Sequence, residues 1–498
     1  MKRIAVLALT AALCLCAAAA QAITMTGLET ESVTREWEEN LFFARMQERT
    51  GIEASARAIY DEEDYQKTLL AMEKGEIPAD VLFKAKLTRE QERTLIDSGA
   101  LVDLAPLIEE NMPNLSALLE ENPAWREVIT LEDGRIASLP LINEAEHQVI
   151  VWINQAWLKK LGLPMPVNPQ ELTEALLAIK KGDPNANYKQ DEIPADLLGV
   201  FEMRWLLPYF SIIADDYHLC RDAQGSIVFA PEQEGYREFV ALLKEWHTLG
   251  LFGEETFTTI HNAATLDDTD DETIKSGLIV TVAPYTHVDA AAAHDYVPLL
   301  MAGPDGSVRW RDMFGAVWTG CFAVTSSCED PAQALRWADA LYGEEAAILA
   351  YAGEEGTDYQ FNEAGDWSFI VDSLRTVEDI RAESIIYTGV TMPGRSPSEF
   401  LAKVDSDVDR HVLSETEQVA SVSEQVTHSY LLNAADQARA DEIALTLGRL
   451  VDEGIARFAT GEVELNDENW KAWLESLRGA GSEELVQLFD AADKAEKQ

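Results

Sequence analysis

Residues Ile136 to Pro164 read IASLPLINEAEHQVIVWINQAWLKKLGLP, and this stretch decides the fold class. In chain order it predicts a buried strand ending at Pro140, a polar run (Asn143 to Gln148), a second apolar strand (Val149 to Ile153) and a helix (Gln155 to Gly162). This order indicates a chain that leaves one α/β lobe and enters another. We expect a hinge at Asn143 to His147 with a ligand cleft beside it, because clefts between domains are preferred small-molecule sites.

Strands and helices alternate in the residues that precede this stretch. The predicted strands are Ile23 to Leu28, Ile52 to Tyr60 and Asp80 to Phe83, and the predicted helices are Trp37 to Arg49, Glu62 to Lys74 and Thr88 to Ser98. Such alternation predicts an α/β fold with a mainly parallel sheet covered on both faces. From about Ser414 to the end the pattern is chiefly helical.

The first 22 residues have the pattern of a secretory signal. Lys2 and Arg3 precede an apolar run, and Ala20-Gln21-Ala22 fits a small-x-small cleavage site. Cys14 and Cys16 each follow a leucine rather than a small residue, which favours cleavage after Ala22 over a lipid anchor. We therefore expect an extracytoplasmic protein, either in a periplasm or at a cell surface.

Composition excludes several classes of partner and activity. With 88 acidic and 39 basic residues, the formal net charge is −49, which argues against nucleic acid and anionic membranes as partners. The chain has no GxSxG elbow, P-loop, GxGxxG or HExxH motif, and its histidines form no ligand-like cluster with the cysteines. We do not expect an enzyme. A bridge between Cys321 and Cys328 stays open, because geometry decides it.

Eight segments, in order along the chain, carry a resemblance to a known family. They are RTGI (Arg49 to Ile52), GALVDL (Gly99 to Leu104), GRIASLP (Gly134 to Pro140), VWINQAWLKKLGLP (Val151 to Pro164), GDPNANYKQDEIP (Gly182 to Pro194), SSCEDPAQALRWADALY (Ser326 to Tyr342), AGEEGTDYQFNEAG (Ala352 to Gly365) and RFATGEVELNDENWKAWLESLRGAG (Arg457 to Gly481). Together they resemble the extracellular solute-binding proteins of ABC transporters, family 1, in the large branch that includes alginate-oligosaccharide-binding and lipoprotein-type proteins.

The resemblance implies a two-lobed periplasmic-binding-protein fold, type II-like, whose lobes are joined by several crossings. It further implies a monomer that binds an oligosaccharide between the lobes and delivers it to a membrane permease. We expect crossings near Asn143 to Glu146, Pro298 to Met301 and Leu341 to Glu345. The expected division is residues 1–22 as signal, 23–143 with 299–341 as lobe I, 144–298 with 345–413 as lobe II, and 414–498 as a helical segment packed on both.

A candidate calcium loop lies in Gly182 to Pro194. Asp183, Asn185 and Asn187 alternate like positions 1, 3 and 5 of an EF-hand, the Lys189 carbonyl fills position 7, and Asp191 and Glu192 close the site. Tyr188 stands where the EF-hand has glycine, and the twelfth position lacks glutamate, so the strict pattern fails. The resembling branch carries a calcium loop of this spacing, which favours structural Ca²⁺ over a plain polar turn.

Aromatic and amide side chains are the candidate sugar contacts. Pyranose rings pack their C–H faces on indole and phenol rings, while polar groups fix the hydroxyls. The candidates are Asn143, Glu144, Trp152, Asn154, Trp205, Tyr209, Tyr285, Trp310 and Trp318. Trp205 and Tyr209 lie one helical turn apart, and for them ligand contact and core packing are equally open. Trp152 stands where the family usually has tyrosine, which leaves room for an unusual ligand.

Two other functions remain as alternatives. The acidity agrees with a receptor of the same fold that binds peptides or polyamines, which a cleft lined by carboxylates would favour. A secreted carbohydrate-active enzyme is the third reading, and the chain offers no motif for it.

Overall fold

A computed structural model describes residues 22–29, 36–143, 148–253, 256–257, 274–313, 315–387, 391–426 and 432–496. The strands are β1 (Ile23–Leu28), β2 (Ala54–Ile59), β3 (Val81–Phe83), β4 (Leu139–Ile142), β5 (Ile150–Asn154), β6 (Ile193–Asp196), β7 (Leu219–Arg221), β8 (Ile227–Phe229), β9 (Ser276–Thr281), β10 (Tyr296–Pro298), β11 (Trp310–Arg311), β12 (Val317–Val324), β13 (Tyr359–Phe361), β14 (Trp367–Phe369), β15 (Gly394–Arg395) and β16 (Ser423–Glu424).

The helices up to β12 are α1 (Leu41–Thr50), α2 (Glu62–Met72), α3 (Arg89–Asp97), α4 (Ala105–Asn111), α5 (Pro113–Glu121), α6 (Pro123–Ile129), α7 (Gln155–Leu161), α8 (Pro169–Lys181), α9 (Val200–Met203) and α10 (Glu234–Leu249). Those after it are α11 (Pro331–Asp339), α12 (Glu344–Ala352), α13 (Val377–Ser384), α14 (Ser398–Leu401), α15 (Asp407–Ala420), α16 (Ala434–Thr460), α17 (Asp467–Gly479) and α18 (Ser482–Glu496). Among the described residues, no helix combines the length and apolar character needed to cross a membrane.

The first lobe is built on a six-stranded sheet in the order β15-β4-β12-β3-β1-β2. Strand β1 pairs in parallel with β2 and β3, as the alternating pattern predicted. Strand β12, however, runs antiparallel to both β3 and β4, so it is the one strand of the six that opposes an otherwise parallel sheet. The reason is topological: β12 enters the sheet at the edge where β4 ends, and a strand that starts there must run the opposite way.

The second lobe is built on a four-stranded sheet in the order β10-β5-β9-β6. Strand β5 pairs antiparallel with β9 and β10, and β6 pairs in parallel with β9. The helix after β5 starts and stops where the sequence predicted. The Asn154 side chain accepts a hydrogen bond from the Trp157 amide, and Gly162 ends the helix in the left-handed conformation.

The hydrophobic cores divide the chain differently from the expected boundaries. Ala346, Leu349 and Ile386 pack into the core of the first lobe, although the sequence analysis assigned residues 345–413 to the second. Residues from Val419 to Phe489 contribute to the core of the second lobe, so the helical C-terminal segment is largely part of that lobe. Apolar periodicity shows that a segment is buried, but it does not show which core buries it.

The crossings also lie elsewhere than expected in two of three places. Leu299 and Met301 are buried in the second core, and the chain passes to the first lobe only between Trp310 and Val317. Leu341 is buried in the first core, so the last crossing follows β15 and runs through α15. The first crossing leaves β4 at Asn143, as expected, and residues 144–147 lie outside the described residues. Cys220, Cys321 and Cys328 are free.

Close packing of two backbones makes Gly320, in β12, a sensitive position of the first lobe. Gly320 has φ +77°, and a Cβ there would lie 2.1 Å from the Leu87 carbonyl oxygen. We expect Gly320→Ala to destabilise the fold by more than about 4 kcal/mol, since it adds a backbone clash to a strained φ. Calorimetric unfolding measures this loss.

Gly365→Ala is the matched control, because Gly365 has φ +87° with no atom within 4 Å of the added Cβ. It should cost only about 1–2 kcal/mol, the price of the left-handed conformation. Equal losses for the two variants would contradict the packing argument.

Candidate functional site

The first lobe presents Asn143 and Trp318 at one edge of its sheet. Ile142 pairs with Val317 in the β4–β12 ladder, and the backbone amide of Asn143 donates a 2.7 Å hydrogen bond to the Ala316 carbonyl. Trp318 is half-buried, and its Nε1 donates to the Gly315 carbonyl at 3.0 Å. Trp318 and Asn143 therefore lie on neighbouring segments where the chain leaves the first lobe.

The Asn143 side chain is enclosed but incompletely paired. It is 1% exposed, and neither Oδ1 nor Nδ2 has a hydrogen-bond partner among the described residues. Leaving a buried polar atom unpaired costs about 1–3 kcal/mol. The side-chain amide thus keeps a donor and an acceptor that could find partners only if the hinge rearranges and opens a path to them.

The second lobe contributes Tyr285, which follows β9 in a short 3-10 helix and is 36% exposed. Burial raises the pKa of the Tyr285 phenol, the Asp409 carboxylate adds to the rise, and the Arg381 guanidinium opposes it. Arg381 lies on α13, whose Ile380 is fully buried and which packs against α1 and α12 of the first lobe. The charge of Arg381, on a helix packed against the first lobe, thus acts on the phenol of Tyr285 in the second.

Four of the predicted aromatic contacts lie in the second core. Trp152, Trp205, Tyr209 and Trp310 are all 2% exposed or less. The Trp205 and Trp310 rings stack with centroids 6.2 Å apart, and the Tyr209 ring lies 6.0 Å from that of Trp310. The Tyr209 hydroxyl donates to the Leu299 carbonyl at 2.6 Å. This agrees with the core-packing alternative for Trp205 and Tyr209.

The structure also differs from the expectation at Trp152, Trp310 and Asn154. The Trp152 indole donates to the Thr281 carbonyl at 2.9 Å and fills the sheet interior, and the Trp310 indole is enclosed in the same core. Asn154 is fully buried and caps α7 through its Oδ1. These side chains fix strands β5 and β9 and the adjoining hinge, and in this conformation they leave no surface for a sugar. Glu144 lies outside the described residues.

The candidate calcium loop follows α8 and turns tightly before β6. Asp183 accepts hydrogen bonds from the backbone amides of Asn187 at 3.0 Å and Tyr188 at 2.9 Å, and the Lys189 amide donates to Asn187 Oδ1 at 2.8 Å. Tyr188 adopts φ +64°, the conformation that glycine supplies in an EF-hand. The positive φ of Tyr188 is thus one feature that this loop shares with an EF-hand, and a plain polar turn remains the alternative.

Glu192 gives the clearest sign of a missing partner in this loop. Both of its carboxylate oxygens are buried without a hydrogen-bond partner among the described residues. Burial raises the pKa of Glu192, the nearby backbone amides of Glu192 and Asn185 oppose the rise, and the charges of Asp183 and Asp191 add to it. Enclosing a carboxylate beside two others is unfavourable, and a divalent cation that takes oxygen ligands would relieve it.

The side chains around Glu192 fit a cation only after a small rearrangement. Nδ2 of Asn187 and of Asn185 donate to Asp191 Oδ1 at 3.0 and 3.3 Å, and these bonds lower the pKa of Asp191. Rotating each amide by half a turn would present its oxygen instead. Within the part of the chain that the structure describes, no three His, Cys, Asp or Glu side chains form a ready-made metal site.

Two hinge residues were not singled out by the sequence analysis. Gln148 is 3% exposed, and its Nε2 donates to Asp312 Oδ1 at 3.3 Å, which links the first crossing to the second. Asp312 also accepts a hydrogen bond from the Gly315 amide at 2.8 Å. No sequence pattern pairs these positions, because they are 164 residues apart.

Comparison with solved structures defines the class of fold. No family model matches the chain. An HMO-binding solute-binding protein of Bifidobacterium longum infantis superposes with TM-score 0.78 at 18% identity, covering 94% of this chain and 98% of that one. Alginate-binding protein AlgQ2 superposes with TM-score 0.70 at 16% identity, covering 94% and 97%. The chain therefore has the two-lobed fold of solute-binding proteins.

A more specific likeness is to the fructooligosaccharide ABC transporter substrate-binding protein FusA of Streptococcus pneumoniae serotype 4. The sequences are 29% identical over 336 residues, which cover 65% of this chain and 61% of FusA, less than two thirds of its length. The structure of FusA with kestose superposes with TM-score 0.75 at 21% identity, covering 96% of this chain and all of that one. The resemblance stated from the sequence is confirmed by these comparisons.

Proposed function

We propose that the protein is the extracytoplasmic substrate-binding protein of an ABC importer, taking an oligosaccharide between its lobes and passing it to a membrane permease. The observation that carries this proposal is the likeness to FusA, which extends over 96% of this chain in structure. Residues 1–22 have the pattern of the export signal that such a protein requires.

The sugar would lie between Trp318 of the first lobe and Tyr285 of the second. Both rings keep exposed surface, unlike the four aromatic side chains in the second core. C–H faces of a sugar ring pack on such rings, and the Asn143 side-chain amide can pair with a hydroxyl if the hinge rearranges to open a path to it. Contacts from both lobes favour the closed arrangement, so ligand binding shifts a pre-existing equilibrium from open to closed lobes. This mechanism requires no chemical reaction of the ligand.

Kestose should raise the thermal unfolding transition of residues 23–498. At a hundredfold excess over its Kd, a ligand that binds only the folded state adds about 2.7 kcal/mol. The comparison ligands are alginate oligosaccharides, peptides and polyamines, and chromatography after long incubation should recover the saccharide intact. A shift with polyamines or peptides alone would replace the sugar assignment, and cleavage of the saccharide would replace transport by catalysis.

Trp318→Ala should weaken saccharide binding by at least about tenfold, since a buried aromatic contact is typically a dominant one. Tyr285→Ala should do the same from the opposite lobe. Calorimetric titration measures the affinity, and the ligand-free transition records the loss of stability that truncating a half-buried ring causes.

The matched control is Trp473→Ala. Trp473 is likewise half-buried, and its Nε1 donates to the Leu450 carbonyl at 3.2 Å, but it lies on α17. It should lower stability and leave affinity unchanged. A weaker affinity for Trp473→Ala than for Trp318→Ala would show that the site has been misplaced.

Structural calcium is a second part of the proposal. Asp183, Asn185, Asn187, Asp191, Glu192 and the Lys189 carbonyl would supply oxygen ligands of the kind that Ca²⁺ prefers. The unpaired carboxylate of Glu192 supports this assignment. Among the relatives, a FusA EF-hand mutant and an AlgQ2 form without calcium ion have been solved.

Calcium should raise the unfolding temperature of the wild type relative to excess chelator. Glu192→Gln should abolish this response. In chelator it should be at least as stable as the wild type, because the substitution removes a charge enclosed beside two other carboxylates. Glu174→Gln, on the exposed face of α8, is the control and should respond like the wild type. If calcium raised the unfolding temperature of Glu192→Gln as much as that of the wild type, the assignment of Glu192 as a calcium ligand would be wrong.

A further inference from the structure

Three chain segments run side by side at the hinge between the lobes. The first crossing is represented by Gln148 and Val149, and the second by Asp312, Gly315 and Ala316. The third segment, residues 422–426, is called the hinge strand here. Strand β16 within it pairs in parallel with β11, which leads directly into the second crossing.

Trp310 packs in the core of the second lobe and is hydrogen-bonded to the other two segments. Its ring is buried in the second core against Trp205 and Tyr209. Its Nε1 donates to the Val149 carbonyl at 2.8 Å, and its backbone amide donates to the Val422 carbonyl at 2.9 Å. The segments therefore start from a fixed point on the second lobe.

Asp312, two residues later, bonds to the same three segments. Its Oδ1 accepts from Gly315 in its own crossing at 2.8 Å and from Gln148 of the first crossing at 3.3 Å. Its backbone amide donates to the Glu424 carbonyl of the hinge strand at 3.0 Å. Hydrogen bonds to enclosed groups such as Gln148 are screened less than those in water. The two crossings cannot turn independently while these bonds hold.

The second crossing lies against the hinge strand at Gly315. Gly315 has φ +63°, and a Cβ there would lie 2.4 Å from Gln425 Nε2. A larger residue would displace the end of the Gln425 side chain, which can rotate aside. The positive φ is therefore the stronger reason for glycine at this position.

We propose that Asp312 is a positioning residue that sets the equilibrium between the open and closed lobes, with the left-handed turn at Gly315 bringing its backbone amide to the Asp312 carboxylate. The inference rests on the proposed function, since a solute-binding protein works by lobe closure. Asp312 acts by coupling the crossings, so that closure is a single rotation. Apparent ligand affinity then depends on the fraction of molecules competent to close.

The test compares Asp312→Ala, Gly315→Ala and Gln148→Leu with two matched controls. Asp305→Ala removes a carboxylate that accepts from Ser307 within an exposed turn. Gly306→Ala adds a Cβ at φ +80° with no atom within 4 Å. Spin labels at Leu70→Cys of the first lobe and Val167→Cys of the second, with Cys328→Ser, report the distance between the lobes.

The hinge variants should broaden or shift the interlobe distance distribution without any sugar, and the two controls should not. The interlobe distances give the fraction of molecules competent to close in each hinge variant. The change in that fraction should predict the change in kestose affinity, which we expect to lie between about 5-fold and 150-fold. Hinge variants that fold and keep the wild-type distribution overturn the inference. Gln148→Leu removes only one bond and keeps the test decisive if Gly315→Ala does not fold.

The two proposals can fail separately. Distances measured without sugar test the hinge even if kestose does not bind, because they require no ligand. Conversely, normal distances with measurable kestose binding would leave the transport assignment standing and remove the role of Asp312.

Discussion

The hydrogen bond from the Trp310 indole to the Val149 carbonyl is the constraint on which the arrangement of the lobes depends. It joins two crossings at the point where both leave the second core. Because Trp310 is held there by Trp205 and Tyr209, aromatic side chains that suit a sugar are used instead to make the hinge rigid. The rings at the lobe edges, Trp318 and Tyr285, keep exposed surface instead. The first two crossings are thus bonded to each other where they leave the second lobe.

Local features of the fold could be read from the sequence because they have local causes. The Asn154 cap and the Gly162 stop define α7, and both are where the pattern placed them. The positions of the crossings could not be read in this way. Leu299 and Leu341 are equally apolar and equally buried, yet they belong to different cores. Which core a buried strand joins depends on pairing across hundreds of residues, and the antiparallel entry of β12 is the clearest case.

The candidate site shows the same division between local and distant causes. Trp310 and Trp318 are eight residues apart and chemically identical, but one fills the second core while the other is half-buried at the edge of the first sheet. No property of the side chain separates them, since the chain changes lobes between the two. The candidate calcium loop could be picked out from the sequence, because its proposed ligands lie within ten residues. Even there the glycine position holds Tyr188, whose left-handed conformation is tolerated because its side chain is 95% exposed.

A protein that only carries its ligand needs two lobe arrangements that bind it unequally, and nothing in it has to stabilise a transition state. In the proposed function, the edges and the hinge have separate parts in this task. Trp318 and Tyr285 would gain contacts when the edges approach, whereas the bonds of Asp312 to the crossings involve no ligand. Contacts at the edges can thus change to suit a new sugar while closure is preserved. The two-lobed fold is shared, at 16–21% identity, with FusA solved with kestose and with alginate-binding protein AlgQ2, which fits that separation.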